Sequence, residues 1–152
     1  MHTKPSNISG FTLLELLIVI AIIGILASIA SVGFVSVKKT TRDDERLTDI
    51  AQIQIALEMF YMSCRQYPAT LTDTNNAGAC TKSLGKFIDL PIKDPQNVDY
   101  ADKYATDVPK SDYVLGVKLE LNRKELEEDV DGDNYGVDCG DATADTIYCV
   151  TP

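Results

Sequence analysis

Histidine is nearly missing from this chain: the one copy among 152 residues is His2. Imidazole-dependent proton transfer is therefore excluded from everything beyond the first residues. The serines and carboxylates that remain do not form the usual pairing of nucleophile and base, so no enzymatic activity is expected. Positive charge is also scarce. Lys and Arg number 14 against 23 Asp and Glu, a formal net charge of −9, and removing Lys4 and Glu15 leaves 13 against 22 beyond residue 37. A field of that sign repels nucleic acid and anionic lipid surfaces, so no nucleic-acid partner is expected. Glycine loops of the phosphate-cradling kind are absent. No Cys-x-x-Cys pair occurs either, which with the shortage of histidine argues against zinc. Proline is missing from residues 11 to 67, so nothing in that stretch forces a helix to stop.

What is present begins with an apolar run. Residues 10 to 26 read Gly-Phe-Thr-Leu-Leu-Glu-Leu-Leu-Ile-Val-Ile-Ala-Ile-Ile-Gly-Ile-Leu, and Leu16 to Val37 are 22 residues without a charge. At about 1.5 Å per residue such a helix covers the roughly 30 Å hydrocarbon core of a bilayer. Glu15 interrupts the apolar character. A carboxylate costs about 2.5–3.5 kcal/mol at bilayer centre and less near the interface, so it needs a partner or a task. Met1 to Gly10, with Lys4, Pro5 and Gly10, reads as a polar leader. An ordinary secretory signal cut after Ala30 is the competing reading of the junction. Against it, the apolar core before Ala27 exceeds the usual length and contains Glu15.

The helical pattern continues past the charged stretch Lys38 to Arg46. Leu47, Ile50, Ile53, Leu57, Phe60 and Cys64 recur at spacings of three and four, one stripe on one face. One helix from Phe11 to near Arg65 is expected, ended by Tyr67-Pro68. Residues 69 to 109 read as a connecting loop with one small helix or strand. Tyr113, Leu115, Val117, Leu119 and Leu121 then alternate with Val114, Gly116, Lys118 and Glu120, a half-buried strand, and Thr146 to Val150 form a second. The expected fold class is α+β: a long N-terminal helix, membrane-spanning in its first half and amphipathic in its second, packed on a small antiparallel sheet. The expected organisation is a leader at 1–10, a transmembrane half at 11–37 and one extracytoplasmic globular domain at 38–152.

Cys64, Cys80, Cys139 and Cys149 make an even set in a domain placed across a membrane, which suggests disulfides. Three pairings are possible, and sequence proximity favours Cys64 with Cys80 and Cys139 with Cys149. Near the last pair, Asp129, Asp131 and Asp133 alternate, Tyr135 can offer a backbone carbonyl, and Asp138 and Asp141 follow. Such a set can converge on a hard cation, and calcium is the natural candidate. The spacing resembles the front of an EF-hand loop but departs from it at Asn134 and Gly140. A solvated acidic turn is the alternative.

The run Gly10-Phe11-Thr12-Leu13-Leu14-Glu15, followed at once by an uncharged helix, resembles the processing site of type IV pilins and type II secretion pseudopilins. The resemblance implies the pilin fold, cleavage by prepilin peptidase between Gly10 and Phe11, and N-methylation of Phe11. It also implies pairing of Glu15 with the new amino terminus of a neighbouring subunit. Ala56-Leu57-Glu58-Met59-Phe60-Tyr61 leading to Arg65-Gln66-Tyr67-Pro68 is similar to the helix end of major-pseudopilin-like sequences. Two departures stand out: no basic residue directly precedes Gly10, and Val32-Gly33 occupies a region where many relatives have proline. The implied partners are other pilin subunits, the peptidase, an assembly platform and the inner membrane. The implied location is the inner membrane for the precursor and a cell-surface or extracytoplasmic filament thereafter. A membrane-anchored calcium-binding module that does not polymerise is the rival.

Overall fold

The computed structural model describes residues 11–72, 80, 82–96, 100–140 and 146–152, and only the backbone at 30–33, 101 and 102. The leader, Gly10 and Asp141 lie outside the described residues. A 52-residue helix, α1 (Leu13–Cys64), runs through Val32-Gly33. Its end is set by Arg65, whose φ of 56° is left-handed and whose N–H donates to the Tyr61 carbonyl at 2.7 Å. That is the usual way a helix satisfies its last carbonyls. The chain falls into two compact units, Met1–Lys38 and Lys39–Pro152.

In the first unit, every side chain described from Phe11 to Lys38 is exposed. Ser28 turns its hydroxyl back to the Ile25 carbonyl at 2.7 Å, which satisfies a polar group on an apolar helix. At the end of the unit, the Lys38 ammonium sits 4.7 Å from the centre of the Phe34 ring, one turn earlier.

The second unit is built on the stripe expected from the periodicity. Ile50, Ile53, Leu57 and Phe60 are fully buried, with Leu47 and Cys64 partly so. Strands β1 (Tyr104–Thr106), β2 (Tyr113–Lys118), β3 (Asp133–Asn134), β4 (Val137–Asp138) and β5 (Ile147–Val150) follow the helix. An antiparallel sheet has the order β1-β2-β5, with Tyr104 opposite Leu115 and Gly116 opposite Cys149. Strands β3 and β4 form a separate hairpin. The expected α+β architecture is therefore present. Two details differ from expectation: the segment 69–109 contains a strand, β1, and two 3-10 turns, Leu84–Lys86 and Tyr100–Lys103; and β2 is covered on both faces, not one.

The two faces of β2 have different partners. Tyr113, Leu115 and Val117 pack with the helix stripe, while Val114 packs with Val137, Cys139 and Cys149. Disulfides join Cys64 to Cys80 and Cys139 to Cys149, with Cα atoms 5.3 and 5.7 Å apart. The second bridge explains Gly116: a Cβ there would lie 2.8 Å from the Cys149 sulfur, so the strand position opposite the bridge must stay bare. Tyrosines fill the end of the core. Tyr67 packs edge-on to Tyr113 at 4.7 Å between ring centres and stacks on Tyr61 at 4.7 Å.

Among the described residues, charge enters the core at one cluster, built on the stretch that precedes the stripe. Asp43 and Arg46 are almost completely inaccessible. The Asp43 carboxylate accepts the backbone N–H groups of Glu120 at 2.9 Å and Leu121 at 3.0 Å, as well as Arg46 Nη1 at 3.0 Å. Arg46 also donates Nε and Nη2 to Asp94 Oδ2, at 3.0 and 2.8 Å. Burying such groups is tolerated because donors and acceptors are matched; removing one partner would strand the other. Beside them Arg42 grips Glu120 with both ends of its fork, Nη2 to Oε2 at 2.7 Å. This hydrogen bond, with the positive charge behind it, holds the Glu120 carboxyl below its usual range.

Candidate assembly site and acidic hairpin

The first site is the start of α1. Helix N-termini leave backbone N–H groups without partners, and Thr-x-x-Glu is the sequence that satisfies them reciprocally. Thr12 and Glu15 do so here. The Glu15 N–H donates to Thr12 Oγ1 at 3.2 Å, while the Thr12 N–H and hydroxyl both donate to Glu15 Oε2 at 2.8 Å. Both residues and Phe11 are exposed. The carboxylate also faces the positive end of the helix dipole. The other oxygen, Oε1, accepts no hydrogen bond among the described residues, and it lies four residues along the chain from Phe11. Sequence reasoning singled out Glu15 for its cost in lipid and passed over Thr12, although the capping pattern was legible in Thr12-Leu13-Leu14-Glu15.

The apolar first half of α1, whose described side chains from Leu13 to Lys38 are all exposed, is the second component. α1 is long and apolar enough to cross a membrane. Gly10, the residue before the expected cut, lies outside the described residues, so the site is described from Phe11 onward.

The acidic stretch folds as a hairpin with its own local logic. Tyr135 and Gly136 are the two central residues of the β3–β4 turn, with φ of 54° and 85°. Two positive φ values match the turn type favoured by two-residue hairpins. The Tyr135 hydroxyl leaves the hairpin and donates to Asp112 Oδ2 at 2.7 Å, a hydrogen bond that raises the phenol above its ordinary pKa. The carboxylates serve separate backbone groups. Asp133 accepts from the Gly136 N–H, Asp138 from the Gly140 N–H and Asp129 from the Cys149 N–H, each at 2.9 Å. Asp131 uses its carbonyl, not its carboxylate, to accept from the Asn134 amide at 3.0 Å. The described residues contain no group of three or more His, Cys, Asp or Glu placed to share a metal ion.

Comparison with known proteins bears on the first site. The family model described as the prokaryotic N-terminal methylation motif matches residues 5–31. Toxin coregulated pilin of Vibrio cholerae serotype O1 (strain ATCC 39315 / El Tor Inaba N16961) is 36% identical over 104 residues, 62% of this chain and 43% of that protein. A second toxin coregulated pilin from Vibrio cholerae is 36% identical over 103 residues, 63% of this chain and 44% of its own length. The chain thus spans less than half the length of these relatives. No solved structure matches it.

Proposed function

We propose that this chain is a type IV pilin, made as a membrane-anchored prepilin, cut after Gly10, methylated at Phe11 and polymerised through its N-terminal helix. The observation that carries this reading is the pairing of a methylation motif with an apolar helix half whose described side chains are all exposed. Lipid covers it before assembly, and the same half of other copies covers it afterwards. Because the similar proteins are pilins, the fibre proposed is a type IV pilus in preference to a secretion pseudopilus.

Glu15 acts in this scheme as an assembly contact. Cleavage creates an ammonium group at Phe11, and a neighbouring copy presents it at about the depth of Glu15. Oε2 stays with Thr12, and Oε1 takes the incoming cation. Pairing opposite charges at that depth removes much of the cost of each. The rival reading, an anchored calcium-binding module that does not polymerise, needs the aspartates of 129–138 to converge. Their separate commitments to Gly136, Gly140 and Cys149 favour the assembly reading.

Mass spectrometry of the mature amino terminus tests the proposal. N-methylated Phe11 is the expected result. A chain retaining Met1 would instead support the anchored module, and one beginning at Ser31 a freely secreted domain.

A further inference from the structure

Acidity prevails on this chain, and one cleft in the second unit breaks the rule. It has a volume of about 590 Å³ and is lined by residues from the start of that unit and from the end of β2. Buried Tyr100, Val117 and Leu119 give it apolar walls. Lys39, Lys103 and Lys118 are among its lining residues. Among the described residues none of the three forms an ion pair, every ion pair there being made by Arg42, Arg46 or Arg123. Among the described residues Lys103 donates to the Asp138 carbonyl, at 3.4 Å. Around them Arg42 and Arg46 meet Asp43, Asp94 and Glu120, two cations against three anions. Counted with the three lysines, the described charges at the cleft sum to +2, on a chain of net −9.

Chain connectivity fixes the depth of one of them. Lys39 follows Val37, the last residue of the uncharged run, by two peptide units. Each spans 3.8 Å between Cα atoms, so Lys39 stays within about 7.6 Å of Val37 whatever the local conformation. Headgroups occupy about 5–7 Å outside each face of the hydrocarbon core. With Leu16 to Val37 in lipid, Lys39, one of the residues lining the cleft, lies at headgroup depth.

We propose that this cleft seats the headgroup of an anionic phospholipid while the precursor is held in the membrane. The phosphate lies among the ammonium groups of Lys39, Lys103 and Lys118, and the glycerol and upper acyl carbons lie against Tyr100, Val117 and Leu119. A domain with an excess of carboxylates is repelled by an anionic bilayer as a whole, and a local cationic cleft gives it one attractive footing. The inference rests on the membrane anchoring in the functional reading and not on polymerisation.

Amine acylation of the full chain in nanodiscs, read lysine by lysine by mass spectrometry, tests it. Discs of phosphatidylcholine containing phosphatidylglycerol are compared with discs of phosphatidylcholine alone. Lys103 and Lys118 are expected to react about fivefold more slowly in the anionic discs, while Lys86, outside the cleft, reacts equally in both. In Lys103→Gln the protection of Lys118 is expected to fall, because the two share one ligand. Equal labelling of Lys103 and Lys118 in both kinds of disc would overturn the proposal. So would undiminished protection of Lys118 in Lys103→Gln, which would report nearness to a charged surface and not a seated headgroup. Failure of the chain to stay in either disc would overturn the anchoring itself, a different result from equal labelling on a retained chain.

Discussion

From Phe11 to Ile29 every side chain of the chain is exposed, whereas from Ile50 to Phe60 one stripe of α1 is hidden completely. Both stretches are helical, but the first is apolar on nearly every face and the second along one stripe. The difference lies in what else the chain supplies. Past Arg65 the sequence returns with Tyr113, Leu115 and Val117 to cover the second stretch, each large side chain contributing about 1.5–3 kcal/mol on burial. Among the described residues, nothing within unit 1 covers the first. Its apolar surface gives no folding energy to an isolated chain in water; that energy appears only in lipid or against other copies. The lesson is that one helix can hold its domain together at one end and leave the other end to be completed by its surroundings.

Changes at one end should therefore leave the other untouched. The largest effect is expected from Glu15→Val: fibre yield, measured by shearing and sedimentation, falls to background, while the thermal midpoint of the second unit is unchanged. Normal fibre yield would contradict the pairing role. Leu57→Ala should act oppositely, costing about 2–5 kcal/mol of stability in a chemical denaturation, because the site is fully buried. Leu17→Ala, exposed in this chain, should cost less than about 0.5 kcal/mol in the same measurement. Gly116→Ala falls between the two, at about 1–3 kcal/mol, because its methyl meets the Cys149 sulfur within a paired strand.

High pH separates the two ends by chemistry. Burial pushes the Tyr113 phenol up to about 12 and also raises Tyr67, Tyr100 and Tyr104, whereas residues 11–38 contain no tyrosine. A phenol kept neutral in the folded state contributes stability that is complete below its unfolded value of 10 and is lost as pH rises from there towards 12. Phenolate absorbance and loss of sheet circular dichroism should therefore rise together above pH 10, with the helix of the first unit surviving in detergent. The smallest effect is expected from calcium. Exchanging chelator for calcium should leave the melting temperature nearly unchanged, because the hairpin carboxylates already bind separate backbone groups. A clear rise would restore the cation reading of 129–138.

Legibility in the sequence followed the range of the interactions. The helix and its stripe were readable because spacing within a helix is local, and the cysteine pairs because each closes a short loop. Strand β1 was not, since Tyr104-Ala105-Thr106 sits in a polar segment and becomes a strand only through its partner Tyr113-Val114-Leu115. The second covered face of β2 was missed for the same reason: alternation of Tyr113 and Val114 says that two faces exist, not that a disulfide-bonded hairpin covers the outer one. The turn at Tyr135-Gly136 lacks the Asn-Gly pair that advertises such hairpins. Asp43 is the hardest case. Nothing in the run Lys38 to Arg46 marks which carboxylate will accept the N–H groups of Glu120 and Leu121, more than seventy residues away. At the first site the sequence pointed to Glu15 directly, and the partner it missed, Thr12, was three residues off.

Gly116 and Cys149 are, in heredity, a single character. Only a bare α-carbon leaves room for the Cys139–Cys149 bridge, and only the bridge demands a bare α-carbon at that place. A descendant that lost the bridge would be released to acquire a side chain at 116. One that first acquired the side chain would carry a destabilised bridge until the cysteines were surrendered.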